Sequence, residues 1–315
     1  MADTNPAWEQ ATIEKLLMAS LKEQRRRRRW GIFFKLIFFA YLCAVLWLFW
    51  PTEDVVSPGK EKPHVAIVDI RGEIGDTLPA SADNITEGLD EAFKDKSTQA
   101  VILNINSPGG SPVQAADIYN EIRYLRNNHK DIKVYAVCSD LCASAAYYVA
   151  SASDYIYASP SSLVGSIGVL MDGFGFVDSM QKLGVQRRLY TSGDHKGFLD
   201  PFSPVKPDEQ ILVQQLLDNV HQQFIEAVQK GRGDRLKNDP NLFSGLVWTG
   251  SQAMPLGLID GFGNINFVAR NVIKNKNLMD YTVKPNFFQQ MADRLGASFA
   301  HEMGSQLGLV FKGLQ

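Results

Sequence analysis

Three short stretches of this 315-residue chain hold side chains that could attack an acyl bond. The first, residues 139–151, reads SDLCASAAYYVAS and sets Ser144 among small neighbours that would let a substrate backbone come close. Ser144 could equally sit in a small-residue packing seam. If it opens a helix, the free N–H groups there favour developing negative charge. A serine hydroxyl needs a base to attack a carbonyl, yet no histidine stands near Ser144 and no Gly-x-Ser-x-Gly elbow surrounds it. The second stretch is NSPGGS, Asn106–Ser111. A strand that runs into two glycines and then a helix exposes backbone N–H groups and admits a carbonyl closely. That suits an oxyanion site around Gly110, and it suits an ordinary tight turn as well. The third is YTSGDHKGFLDPFSP, residues 190–204, where Lys196 follows His195. Desolvation can bring a lysine toward neutrality and make it a base, and Phe198, Pro201, Phe202 and Pro204 could shield this one. The alternative is a solvated loop lysine.

The elements that must position these residues alternate in type. HVAIVDIRGEI (64–74) and QAVILNINSPGG (99–110) read as strands, the second buried on both faces. Residues 111–127 place Val113, Ala116, Ile118, Ile122 and Leu125 on one helical stripe. KVYAVCS (133–139) is a third strand, 143–153 a packed helix, and DYIYAS (154–159) a strand. SSLVGSIGVLMD (161–172) reads as a turn and a further strand. Residues 207–230 form a long amphipathic helix ended by Gly231, and 248–264 a strand, short helix and turn. Strand and helix alternating at this pace imply an α/β fold with crossover connections.

The body of the chain is acidic and its N-terminal arm basic. Residues 1–50 carry eight Lys and Arg against four Asp and Glu, and the remainder 24 against 30. That balance argues against nucleic acid as a partner. Arg25–Arg29 stand directly before the mostly apolar run Trp30–Trp50, which is about the 20 residues a membrane helix needs. Trp30, Trp47 and Trp50 mark its ends, and Lys35 lies near enough to the arginines to snorkel. The expectation is a cytoplasmic segment 1–29, an uncleaved signal anchor 30–50 in contact with lipid, and a linker 51–63. The arginines place the N-terminus in the cytoplasm and the body on the far side. Cys138 and Cys142 are expected to be buried free thiols, with a local disulfide as the alternative if the body lies in an oxidising compartment, and no Cys/His set has metal-ligand spacing. A stripe of Met291, Leu295, Phe299, Met303 and Leu307 marks a C-terminal amphipathic helix within 276–315.

INSPGGS, then CASAAYYVASASDYIYASPSSLVGSIGV, then SGDHKGFLDPFSP, then VWTGSQAMPLGLIDGFG together resemble the signal peptide peptidase A family, peptidase family S49, in its short form. The resemblance runs over about residues 64–265 and implies a ClpP/crotonase-like spiral of ββα units, here in a domain 64–275 after an N-terminal transmembrane helix. It implies Ser144 as nucleophile and Lys196 as general base, with Gly110 and the N–H of Ala145 as oxyanion donors. Ser166 would orient the lysine, and His195 would have no catalytic role. No cofactor or metal is implied. The implied substrates are remnant signal peptides and other hydrophobic or unfolded peptides at a bacterial inner membrane, with the catalytic domain periplasmic. The resemblance also implies a ring- or dome-like homo-oligomer, with an octamer as one arrangement, whose sites are completed across subunit boundaries. Ala145-Ala146 replace the two glycines that usually follow the nucleophile. A non-catalytic scaffold on the same fold is the alternative.

Overall fold

The computed structural model describes residues 6–48 and 62–284, with side chains in the N-terminal helix described at Lys15, Met18 and from Leu21 to Val45. The chain divides into two compact units, Met1–Ser57 and Pro58–Gln315. The described residues of the first unit form one continuous helix, α1 (Pro6–Leu48), which runs through the arginines without a break. Among the described residues no helix is long and apolar enough to cross a membrane. The expected span Trp30–Trp50 continues past Val45, the last residue of α1 with a described side chain. Most of the linker 51–63 and the stripe Met291–Leu307 lie outside the described residues.

The second unit contains β1 (His64–Arg71), α2 (Ala82–Lys94), β2 (Thr98–Ser107), α3 (Pro112–Asn128), β3 (Lys133–Ala143), α4 (Ala145–Ser151), β4 (Tyr155–Ala158), β5 (Leu163–Gly165), α5 (Val177–Lys182), α6 (Pro207–Arg232), β6 (Val247–Thr249), α7 (Gly250–Ala253), β7 (Gly261–Phe262), α8 (Ile265–Phe267) and β8 (Leu278–Asp280). One eight-stranded sheet runs β6-β5-β3-β2-β1-β8, with β4 also on β3 and β7 on β4. Every pairing is parallel except β5–β6. Strands β1 and β2 are buried along most of their length because helices cover a parallel sheet on both faces. Strand β8 lies past residue 275, so the sheet runs further than the boundary expected there.

Strand β3 is where the sheet forks. Its first half, Tyr135–Cys138, pairs with β4, and its last residues, Leu141–Ala143, pair with β5. Between them the register to β2 slips: Cys138 faces Ile105 and Cys142 faces Ser107. That bulge turns the end of β3 away from β4 and aims it at the site. It also brings Cys138 and Cys142 together as buried free thiols, and burial pushes the Cys142 thiol up.

The run 161–172 departs from its expected strand. Only Leu163–Gly165 is extended, because Gly165 and Ser166 adopt φ of 97° and 51° and break the ladder.

Helix α6 is seated by a buried ion pair. Arg232, 1% exposed, donates through Nη1 and Nη2 to Asp260 at 2.7 and 2.9 Å, and through Nε to the Gly257 carbonyl at 2.9 Å. Asp260 also accepts the Ile156 N–H of β4 at 2.7 Å. Beside the pair, a Cβ at Gly231 would meet the Ser151 carbonyl at 1.9 Å, so α6 crosses α4 with no room for a side chain. Arg232→Ala is expected to cost up to about 3–5 kcal/mol, since it leaves a mostly buried carboxylate with only the longer Arg235 contact, 3.3 Å, as its cationic partner. Urea unfolding checks this, and a loss under 1 kcal/mol, the range of an exposed pair, would contradict it. Burial alone would raise the Asp260 carboxyl, but the hydrogen bonds and charge of Arg232 win and hold it below its usual 3.8. A depressed carboxylate stabilises above its unfolded pKa. That part of the stability should be intact above pH 3.8 and fade as pH falls through the lowered value, and in the Arg232→Ala protein this acid dependence should weaken to what the Ile156 N–H and Arg235 still supply.

Candidate active site

Ser144 is the hinge between β3 and α4. Its φ and ψ are 54° and −128°, a conformation rare outside glycine that costs on the order of 1–3 kcal/mol and is held by its surroundings. The Ser144 N–H donates to the Gly165 carbonyl at 2.8 Å, and its carbonyl accepts from the Tyr147 and Tyr148 N–H groups at 2.9 and 3.0 Å. The hydroxyl does not cap the helix. Oγ is therefore left for other work, and Ser144 lines a cleft of about 640 Å³ with Gly110, Ala145, Tyr148, Ser166 and His221. Below it α4 is locked in the core. Tyr147 is fully buried and its hydroxyl donates to the Leu258 carbonyl at 2.7 Å.

The glycine turn stands opposite. Gly109 accepts the Ile74 N–H at 2.8 Å, and the Ile74 carbonyl accepts from the Ser111 N–H at 2.9 Å. A parallel bridge bonded this way engages the residues on either side of Gly110. The Gly110 N–H therefore faces away from Ile74. Gly110 has φ 144°, and a Cβ there would meet the Ile74 carbonyl at 2.1 Å. Ser111 then caps α3, its Oγ accepting the Gln114 N–H, with Pro112 in the first turn. The Ala145 N–H opens α4, where N–H groups have no partner within the helix. Gly110 and Ala145 both line the cleft, with N–H groups that neither Ile74 nor the helix takes up. Ala145 and Ala146 are buried and helical with ordinary negative φ, so alanine is accommodated there without strain.

Lys196 lies elsewhere. It is exposed in a run of turns, its N–H donating to the Gly193 carbonyl at 3.2 Å, and it is not among the residues lining the Ser144 cleft. Its neighbour His195 lines a shallow groove with Phe198 and Leu212. Within one chain the structure brings Ser144, Gly110, Ala145 and Ser166 together and leaves Lys196 apart. His221 joins the cleft unforeseen. It lies on the helix read from 207–230, and helical periodicity does not tell which loop that face meets.

The sequence pattern of peptidase family S49 matches residues 126–279, and that of Clp protease matches residues 64–164. The chain belongs to peptidase family S49. The two matches overlap at Ser144: the Clp-like part holds Gly110 and Ser144, and the S49 match extends over Ser144, Ser166 and Lys196. Among relatives of this S49 chain, a putative signal peptide peptidase SppA of Enterococcus faecium is 29% identical over 74% of the chain and 69% of its own length. Protease 4 of Haemophilus influenzae is 32% identical over 64% of the chain and 33% of its own length. A Brucella abortus protein named Na(+)/H(+) antiporter NhaA is 46% identical over 60% of the chain, and the match spans only 25% of that longer protein.

Proposed function

We propose that the chain is a membrane-anchored serine endopeptidase with a Ser144/Lys196 dyad. It would cleave remnant signal peptides and other hydrophobic or unfolded peptides after their release at the membrane. The observation that carries the reading is Ser144 itself: a residue on a strained strand-to-helix hinge whose hydroxyl does not cap the helix, lining one cleft with Gly110, Ala145 and Ser166. Ser144 Oγ attacks the peptide carbonyl carbon and Lys196 Nζ takes the hydroxyl proton. Nζ acts as a neutral amine, the form that burial in an apolar cleft favours. The Gly110 and Ala145 N–H groups receive the oxyanion. Lys196 then passes the proton to the leaving amine, and water hydrolyses the acyl-enzyme by the reverse steps. Ser166 holds the lysine in line.

Lys196 would come from a neighbouring copy in a ring- or dome-like homo-oligomer. Support comes from its exposure on the surface of its own chain and from the apolar side chains flanking it in sequence. Leu170, Phe174, Leu183, Tyr190 and Val205 are all more than two-thirds exposed, and Tyr190 is 89% exposed. Soluble monomers rarely leave that much apolar surface open. The fold would be a spiral of ββα units. The anchor would be the apolar run from Trp30, where Phe33, Phe34, Leu36, Phe38 and Phe39 are exposed along α1. The N-terminus would be cytoplasmic and the body periplasmic.

Labelling with a fluorophosphonate tests the enzyme reading. The expected result is one adduct on Ser144, abolished by Ser144→Ala. An unlabelled, correctly assembled protein would leave the scaffold reading standing. For topology, a periplasmic reporter fused after Gln315 is expected to be active, and a fusion active only in the cytosol would overturn the orientation.

A further inference from the structure

Residues Gly165, Ser166 and Ile167 form a strap whose three members are tied to three different parts of the protein. The Gly165 carbonyl accepts the Ser144 N–H at 2.8 Å, and the Ser166 N–H donates to the Leu246 carbonyl at 2.8 Å. The Ile167 carbonyl lies 3.1 Å from Nε2 of His221 on α6. A carbonyl oxygen only accepts, so Nε2 of His221 carries a hydrogen and donates it. The contact is thus a hydrogen bond in both charge states of the ring, and in the neutral ring Nδ1 is the unprotonated nitrogen. Ser166, between two of these ties, is held at φ 51°, a left-handed conformation that a serine leaves when nothing holds it. His221 and Ser166 both line the Ser144 cleft.

We propose that His221 is a positioning residue for the proposed peptidase site, holding the Ile167 carbonyl so that Ser166 keeps its left-handed turn. The strap then presents the Ser166 hydroxyl to the cleft and the Gly165 carbonyl to the nucleophile's N–H. Helix α6 can serve as the fixed end because its C-terminal part is seated on α4 and β4 through Gly231, Arg232 and Asp260. His221 needs no contact with substrate, so its loss should slow turnover and leave peptide binding nearly unchanged. The inference rests on the proposed function for the meaning of the turnover, but not for the conformation of Ser166.

The test uses the full chain, assembled in detergent, with a fluorogenic hydrophobic peptide. His221→Leu fills similar space and removes the donor. His221→Gln places an amide N–H at nearly the reach of Nε2. The Leu variant is expected to lose about 10- to 100-fold in kcat with KM within about 2-fold, and the Gln variant to stay within about 3-fold of the parent in both. Crystal structures of the two should show Ser166 leaving its positive φ in the Leu variant and keeping it in the Gln variant. Equal behaviour of the two variants, a loss confined to KM, or an unchanged Ser166 turn in the Leu variant would each overturn the proposal. If the Leu variant does not fold, the Gln variant decides: retained kcat with the turn intact supports the role, and lost kcat overturns it. If the parent protein is not labelled at Ser144, the peptidase reading falls, and the two crystal structures alone decide the role of His221.

Discussion

Ser144→Ala and Lys196→Ala are each expected to lose at least about 10³-fold in peptide hydrolysis, as groups that act as one unit do. Oligomers co-assembled from the two inactive chains are expected to recover activity. The physical basis is the separation within one chain: Ser144 lines the cleft, whereas Lys196 stands exposed on a run of turns outside it. If the lysine reaches the serine of the next copy, a working site needs a Lys196→Ala chain to give Ser144 and a Ser144→Ala neighbour to give Lys196. Random mixing in a closed ring puts roughly a quarter of the interfaces in that arrangement. Casein hydrolysis against mixing ratio measures it, with native mass spectrometry confirming co-assembly. Mixed rings with no recovery would show that Lys196 does not act across the interface. A Lys196→Ala protein with near-normal activity would remove the dyad itself.

Gly109→Ala is expected to lower kcat by at least about 100-fold while the protein still folds, the scale of losing oxyanion stabilisation. A Cβ at Gly109 would lie 2.6 Å from the Ser144 Cβ and 2.9 Å from both the Ala143 carbonyl and the Ala145 nitrogen. None of these is the far end of a flexible side chain. The added methyl has to push Ser144, or the Ala145 N–H beside it, out of place. The φ of 109° at Gly109 adds backbone strain. Gly184→Ala is the control. Gly184 also has a positive φ, 69°, but its Cβ position is open, so only a modest stability loss should follow. Steady-state kinetics alongside thermal unfolding separates the two variants. A Gly109→Ala enzyme with parental kcat would mean that the glycine turn does not border the reacting atoms.

Much of the site was legible because it sits on sequence punctuation. Pro108-Gly109-Gly110 stops a continuous apolar strand, and the helix Pro112–Asn128 follows within one residue of its expected bounds. The small residues after Cys142 mark a close-packed helix, and Ala145 and Ala146 are buried as that reading requires. The strand expected through 161–172 failed for a local reason. Its Val, Ile and Leu content reads as extended, but the positive φ at Gly165 and Ser166 turns the chain after three residues. A serine gives no signal that it will be held in a left-handed turn. That conformation comes from the partners Leu246 and His221, each tens of residues away.

By itself the sequence determined the α/β body with crossover connections, the glycine turn that ends a buried strand, the small-residue seat of Ser144, and the basic arm before an apolar run. These follow from local properties: hydrophobic period, the backbone freedom of glycine, and side-chain size. Tertiary structure alone decided three things. The fork of β3 across its bulge aims Ser144 at the cleft. The bonding of Ile74 on both sides of Gly110 turns that N–H outward. The crossing of α6 over α4, with Arg232 fixed on Asp260, carries His221 to the strap beside Ser144. Each depends on contacts between residues far apart in the chain, where the energy lies in close packing and in satisfying buried polar groups.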